Sequence, residues 1–335
     1  MTSEDRLLAF EKLGNYINAI DDVAFHVILD KVRNENPWFT EASVRQALAG
    51  LKNYLNREKL EQWIASYNLG NPLPKKIALV MAGNIPLAGF HDLLSVLISG
   101  HIAIVKLSSK DTVLLTFISR KLVEIEPRFS DYIVLADRLK DFNAVIATGS
   151  DNSARYFHYY FGKYRHIIRK NRTSCAVISG AEQPADIELL GKDVFSYYGL
   201  GCRNVSKIFL PANYDPVQLI EGWKSFADIL NHHKYHNNYD YQKSILLVNQ
   251  KPFYDSGFVI LQESEKIVSP ISVVYYERYA NSRDLSEMLS TASTKIQCVV
   301  GSTSSHFTPF GKAQFPELWD YADKVDTLNF LQNLN

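Results

Sequence analysis

The sequence is poor in the features that make several function classes easy to recognise. It has three cysteines in 335 residues, Cys175, Cys202 and Cys298. The number is odd and no CxxC spacing occurs, which argues against a disulfide framework and a structural zinc site. Neither charge is in excess: 36 basic and 36 acidic residues cancel, so no global field recruits nucleic acid or an anionic membrane surface. No unbroken apolar run is long enough for a membrane span, and the start, MTSEDRLLAFEKL, puts acidic residues where a secretory signal needs a positive region. The expectation is a soluble, cytoplasmic protein with no nucleic-acid partner and no membrane span. G-x-G-x-x-G and G-x-x-x-x-G-K-[ST], the ordinary dinucleotide fingerprint and the P-loop, are also missing.

What is present is ordinary globular composition, 46% hydrophobic and 21% charged, in a chain long enough for two domains. Up to about residue 70 the pattern is helical: Leu7, Leu8, Phe10 and Leu13, then Val44, Leu48, Leu51, Tyr54 and Leu55, recur at three- and four-residue steps. Thr40 is placed to cap a helix with Glu41 in its first turn. Asn71, Pro72 and Pro74 then break the chain, and from Lys76 strand and helix alternate. KIALVMAG ends in Gly83 and a helix follows Pro86; IAIVKL is followed by a Ser108-Ser109 cap; YIVLA and NAVIATGS are further apolar runs, the last opening a helix rich in aromatics. Such alternation specifies a doubly wound, largely parallel sheet, in which ligands sit past the carboxyl ends of the strands.

The residues just after each run therefore carry the chemistry, and each has a plain structural alternative. Asn84 has an amide able to donate to a developing oxyanion, or is a turn former ahead of Pro86. Lys106 can hold ribose or phosphate oxygens, or emerge into solvent. Gly149 and Ser150 can leave backbone N–H groups for a pyrophosphate, or cap a helix. The basic run Arg169, Lys170, Asn171 and Arg172 is a solvated loop or a phosphate contact. SILLVN, FVIL, PISVVYYE and QCVVGSTSS read as further strands. His232 and His236 stand four apart as zinc pairs do, but without the glutamate of that motif or a third ligand, so no metal is assigned and a polar entrance surface is the reading for His232, His233 and His236.

The stretch YGLGCRNVSKIFLP sets Cys202 between a glycine-bearing turn, Gly199 and Gly201, and an apolar strand, Val205 to Leu210. Two glycines let the backbone approach a substrate, the peptide N–H of Cys202 can be aimed at a thioester or aldehyde oxygen, and Arg203 favours thiolate. The alternative is a buried structural thiol beside an ordinary turn.

Taken together, an Asn after the first strand, Lys-x-Ser after the second, Gly-Ser at a helix start and a later Cys resemble the aldehyde dehydrogenase superfamily. The strings AGNIPLAGFHDLLSVLISGHIAIVKLSS, IATGSDNSARYFHYYFGKYRHIIRKNRTSCAVISG, YYGLGCRNVSKIFLP and FGKAQFPELWDYADKVDTL are similar to the LuxC-type acyl-CoA reductases. The resemblance implies an α/β, aldehyde-dehydrogenase-like fold: a helical N-terminal layer and Rossmann-type dinucleotide-binding domain over residues 1–171, completed by about 301–335, and an α/β catalytic domain over 172–300. It implies that Cys202 forms an acyl-enzyme thioester, that Asn84 shares the oxyanion with the Cys202 peptide N–H, that Lys106 and Ser108 contact the adenosine ribose, and that Gly149 and Ser150 face the pyrophosphate. Ser109 stands where the superfamily often has an acidic residue for the ribose 2′-OH. A hydroxyl leaves room for a 2′-phosphate, so NADPH is expected over NADH.

Where hydrolytic members place a water-activating glutamate the chain reads RKNRTSC, with Arg169 nearest and no carboxylate beside it, which favours reduction over hydrolysis. The superfamily's further cofactor-binding glutamate has no single counterpart, since Glu265 and Lys266 compete for it. The expected activity is reduction of a fatty acyl-CoA or acyl-protein thioester to an aldehyde, with an acyl-transferring protein as a further partner and a homo-oligomer left open. An oxidative CoA-acylating aldehyde dehydrogenase and a non-catalytic acyl- or nucleotide-binding partner are the competing readings.

Overall fold

The first helices form where a cap and an apolar stripe coincide. Thr2 and Asp5 close a capping box, the Asp5 N–H donating to Thr2 Oγ1 at 3.1 Å and the Thr2 N–H to Asp5 Oδ2 at 2.8 Å, ahead of helix α1, Ser3–Asn18. Asp21 caps α2, Asp22–Glu35, Thr40 caps α3, Glu41–Tyr54, and Asn56 caps α4, Arg57–Ile64. Leu7, Phe10 and Leu13 of α1 and Val44, Ala47 and Leu51 of α3 are buried at helical spacing and enter one core with Trp63. This computed structural model describes residues 1–70 and 73–334, so Asn71 and Pro72 lie outside the described residues.

A buried guanidinium ties this layer down. Arg6 is 1% exposed, and it donates to peptide carbonyls: Nε to Ile98 at 2.8 Å, Nη1 to Met1 at 2.8 Å, Nη2 to Leu69 at 3.0 Å and Gly70 at 3.1 Å. Arg6→Met would keep much of the volume and strand four acceptors, so it is expected to destabilise by about 3 to 5 kcal/mol. A shift of the denaturant midpoint with unchanged slope checks it, and a loss below about 1 kcal/mol would show the site to be hydrated.

The chain forms two compact units, Met1–Asn171 with Glu317–Asn335 and Arg172–Pro316. In the first, strands β1 (Lys76–Val80), β2 (Ile102–Lys106), β3 (Ile133–Leu135), β4 (Ala144–Thr148) and β5 (Arg165–Arg169) make a parallel sheet in the order β3-β2-β1-β4-β5. Helices α5 (Phe90–Ile98), α6 (Val113–Ile125) and α7 (Asp151–Phe161) connect them. Ile77, Ala78 and Leu79 of central β1 are at most 1% exposed, which is why this strand reads as an unbroken apolar run. The chain order reverses between β1 and β4, the point at which open parallel sheets bind ligands.

The second unit has β6 (Thr173–Val177), β7 (Val205–Pro211), β8 (Tyr254–Asp255), β9 (Ile260–Glu263), β10 (Val273–Tyr279) and β11 (Ile296–Val300), in the order β11-β6-β7-β10-β9-β8. All pairs are parallel except β8 with β9. Helices α8 (Pro184–Phe195), α9 (Val217–Gly222), α10 (His233–Val248) and α11 (Ser282–Ala292) complete it, while α12 (Thr327–Gln332) belongs to the first unit.

Three details differ from the sequence reading. SILLVN is the end of α10, not a strand: of its aliphatic residues only Leu246 is buried, while Leu247 and Val248 are 58% and 83% exposed. The helix after Pro86 begins only at Phe90, because a turn with Leu87 at φ 61° intervenes. The return to the first unit starts at Glu317, because Gly301 to Ala313 stays with the second: Thr308 bridges Val300, and Asp193 accepts from the Gly311 and Ala313 N–H groups at 2.6 and 2.9 Å.

Candidate active site

In the first unit the candidate residues sit on loops leaving β1, β2 and β4. Asn84 is exposed on the loop after β1. Gly83 beside it has no room for a side chain, since a Cβ would lie 2.4 Å from Ser108 Oγ; the loops after β1 and β2 therefore pack directly on each other. The same loop is fastened by Asp111, wholly buried, whose Oδ2 accepts from the Leu87 N–H at 2.7 Å and so holds Leu87 in its left-handed conformation. Burial pushes the Asp111 carboxyl up to about 7, against the Leu87 N–H that lowers it, with Glu35 adding to the rise. Its Oδ1 is buried without a hydrogen-bond partner among the described residues. Glu35 itself caps α6, accepting from the Thr112 and Val113 N–H groups at 2.9 to 3.1 Å.

Lys106 ends β2 exposed, with Nζ donating to the Asp137 carbonyl at 2.8 Å. Ser108 is half-buried and accepts from the Lys110 N–H, and Ser109 is exposed. Ser150 is the N-cap of α7, accepting from the Ser153 N–H at 3.2 Å. A Cβ on Gly149 would meet Ser153 at 2.8 Å and Phe157 at 2.9 Å, so this glycine is required by the seating of α7 as well. Lys106, Ser108, Ser109, Asn84, Gly149 and Ser150 thus share one edge, the carboxyl ends of the adjacent strands β2, β1 and β4.

Arg169 is not in a solvated loop. It ends β5 at 3% exposure, and its Nη1 pairs with Asp92 at 2.5 Å while Nη2 donates to Thr327 Oγ1 at 3.0 Å. The sequence shows no carboxylate beside it; the fold brings Asp92 from α5. Asp92 is thus committed to an ion pair with Arg169.

Cys202 lies in the second unit, on a turn in which the Asn204 N–H donates to the Gly201 carbonyl at 3.1 Å. It is half-exposed, whereas Cys175 is fully buried and its burial pushes the thiol well up. Cys298, half-buried, has its sulfur 3.1 Å from Ser174 Oγ, which also donates to the Cys202 carbonyl at 3.2 Å. Ahead of the turn, Tyr197, Tyr198 and Gly199 are left-handed, at φ 51°, 58° and 78°. His232 caps α10 and places its ring 4.4 Å from that of Tyr198; no group of three metal-ligating side chains exists among the described residues.

Sequence reasoning passed over Asp111, Asp92, Asn204 and Lys207. Lys207 is fully buried on β7, bonded to Glu277 at 2.5 Å and to the Ser264 carbonyl. A lysine two residues from Val205 and from Phe209 in an apolar strand is the signal that a partner carboxylate must exist.

Among the described residues no helix is long and apolar enough to cross a membrane. A family model, acyl-CoA reductase (LuxC), matches residues 31–235, more than half of the chain. A comparison with curated proteins found no match. Among solved structures the chain is similar to aldehyde dehydrogenase 21 from Physcomitrella patens in complex with succinate (12% identity, TM-score 0.67, covering 91% of this chain and 74% of that one). It is also similar to an aldehyde dehydrogenase from Mycobacterium tuberculosis complexed with NAD+ (12%, 0.64, 91% and 74%) and to an NADP-dependent glyceraldehyde-3-phosphate dehydrogenase from Bacillus halodurans complexed with NADP (12%, 0.64, 91% and 75%). The fold is aldehyde-dehydrogenase-like.

Proposed function

The chain belongs to the acyl-CoA reductase (LuxC) family, whose chemistry is redox interconversion at the aldehyde and acyl-CoA level, and from this we propose that it reduces an acyl thioester to the aldehyde through an acyl-Cys202 intermediate, with NADPH as reductant. The observation that carries the reading is the setting of Cys202: like Cys298 it is partly exposed, but of the three thiols it is the one mounted at the tip of a closed turn, the other two lying on strands.

A nicotinamide dinucleotide fits the first unit. An exposed lysine and serines, a helix start and a glycine too crowded for a side chain stand together at the switch point of a parallel sheet. Lys106 and Ser108 are assigned to the ribose, and Gly149 and Ser150 to the pyrophosphate. When bound, the cofactor supplies the hydride that takes the acyl carbon to the aldehyde level.

The chain's own residues do the rest. Cys202 thiolate attacks the thioester carbonyl; the new carbon–sulfur bond forms, the old one breaks, and the donor leaves as thiolate. One thioester replaces another, so the step needs positioning more than driving force. The oxyanion is met by the Cys202 peptide N–H. After reduction Cys202 is the leaving group, and its thiolate is restored.

Two assays test the proposal: intact mass after incubation with acyl-CoA, and initial rates with NADPH plus acyl-CoA against NADP plus aldehyde and CoA. An acyl adduct and faster reduction are expected; a protein that takes no acyl group ends the reading, and faster oxidation makes it a CoA-acylating aldehyde dehydrogenase. Ser109→Asp would place a carboxylate against a 2′-phosphate. It is expected to lower the NADPH-to-NADH ratio of kcat/KM by about tenfold or more, equivalent to roughly 1.4 kcal/mol. An unchanged ratio would remove Ser109 from the cofactor site.

A further inference from the structure

The turn that carries Cys202 is braced by Asn204, and we propose that Asn204 is a positioning residue for acyl transfer, its side chain fixing the Leu200–Gly201 peptide and its backbone N–H the Gly201–Cys202 peptide, so that the Cys202 N–H faces the substrate oxygen. The proposal rests on the reading of Cys202 as nucleophile.

Asn204 is 1% exposed. Its Oδ1 accepts from the Gly201 N–H at 2.8 Å, and its Nδ2 reaches the carbonyls of Asp193, Val194 and Ser196 at 3.1, 3.1 and 2.8 Å. Those carbonyls end α8, where the helix supplies no donor of its own. A primary amide is the neutral side chain of this size that both accepts and donates twice. Aspartate would set a carboxylate against three carbonyl oxygens, and leucine would leave all of these groups buried and unsatisfied.

The direction of the Cys202 N–H follows from the peptide itself. The Gly201 carbonyl points into the turn, toward the Asn204 N–H. Across a trans peptide the N–H is opposed to the C=O, so the Cys202 N–H is directed out of the turn. The next peptide is set by Ser174, whose hydroxyl donates to the Cys202 carbonyl, and Asn204 is itself held on β6, its carbonyl accepting from the Ser174 N–H at 3.0 Å and Thr173 Oγ1 at 3.1 Å. The left-handed run Tyr197-Tyr198-Gly199 leads into this turn directly from the captured Ser196 carbonyl. Consecutive left-handed non-glycine residues persist only where neighbours hold them.

Two probes of one sulfur separate positioning from mere folding. Iodoacetamide alkylates Cys202 without needing an oxyanion donor; p-nitrophenyl acetate acetylates it with release of p-nitrophenolate and does need one. Rates are taken at Cys202 by subtracting the Cys202→Ala background. In Asn204→Ser the alkylation rate is expected to stay within about threefold of wild type while acetylation falls on the order of 10²-fold, the loss typical of one oxyanion donor. Asn204→Asp, which keeps the acceptor for Gly201, is expected to show a depressed acetylation-to-alkylation ratio near pH 8 that climbs as the carboxyl is protonated and regains a donor. An unchanged ratio in Asn204→Ser overturns the proposal. If that variant does not fold, a wild-type, pH-independent ratio in Asn204→Asp overturns it instead. Wild-type Cys202 that takes acetyl from the ester but no acyl group from acyl-CoA refutes the thioester reading and leaves the positioning test standing; wild-type Cys202 that is not acetylated at all refutes the positioning role.

Discussion

Cys202→Ala is expected to lower kcat for acyl-CoA reduction by on the order of 10⁴-fold or more and to abolish the acyl adduct, because in the proposed mechanism Cys202 carries the acyl group. Neither remaining thiol sits on that turn. Cys175 is fully buried on β6 with its thiol pushed up by that burial, so it is neither ionised nor reachable near neutral pH. Cys298 is hydrogen-bonded beside Ser174 and sits on β11, not on a turn. Cys298→Ala is accordingly expected to stay within a few-fold of wild type. The measurement is steady-state NADPH consumption together with intact mass after exposure to acyl-CoA. An adduct of undiminished yield on Cys202→Ala would transfer the chemistry to another residue.

The second large effect concerns stability and pH. Asp111 has its carboxyl raised from 3.8 to about 7, chiefly by burial. The folded state therefore binds the proton more tightly than the unfolded chain does, so the stability linked to it is fully present below about pH 4 and is lost as pH rises through about 7. At 1.36 kcal/mol for each unit, the raised value corresponds to a loss on the order of 4 kcal/mol. Asp111→Asn keeps an acceptor for the Leu87 N–H and cannot ionise. Relative to this variant, wild type should lose that amount between about pH 4 and pH 8, the variant being the more stable on the alkaline side. Denaturant unfolding of both proteins across the range tests it. A difference that does not change with pH would mean that water reaches the carboxyl.

Much of this architecture was legible in the chain because the apolar runs of parallel strands are unbroken and end in small or polar residues. KIALV, IAIVK and AVIAT declare β1, β2 and β4, and Thr40 and Ser150 declare helix starts. RHIIR hides β5, since its ends are basic and one of them, Arg169, is buried with partners distant in sequence, Asp92 and Thr327 among them. SILLVN misleads in the other direction: its branched residues favour a strand, but Tyr235, Tyr239 and Leu246 set a helical face on which that run continues. At the candidate site the positions after strands could be named from spacing. The buried groups that brace them could not, because Asp111 and Asn204 look like ordinary cap and turn residues until their neighbours are known.

The return of Glu317–Asn335 to the first unit has a consequence for how the protein is made. Trp63 donates to the Tyr321 hydroxyl, His91 Nε2 lies 2.9 Å from the Leu318 carbonyl, and Arg169 donates to Thr327. During synthesis the ribosome finishes the whole second unit before it emits any of these partners. The nascent first unit must therefore wait for about 145 residues of elongation before these bonds can form; at roughly 5 to 20 residues per second that is about 7 to 30 seconds.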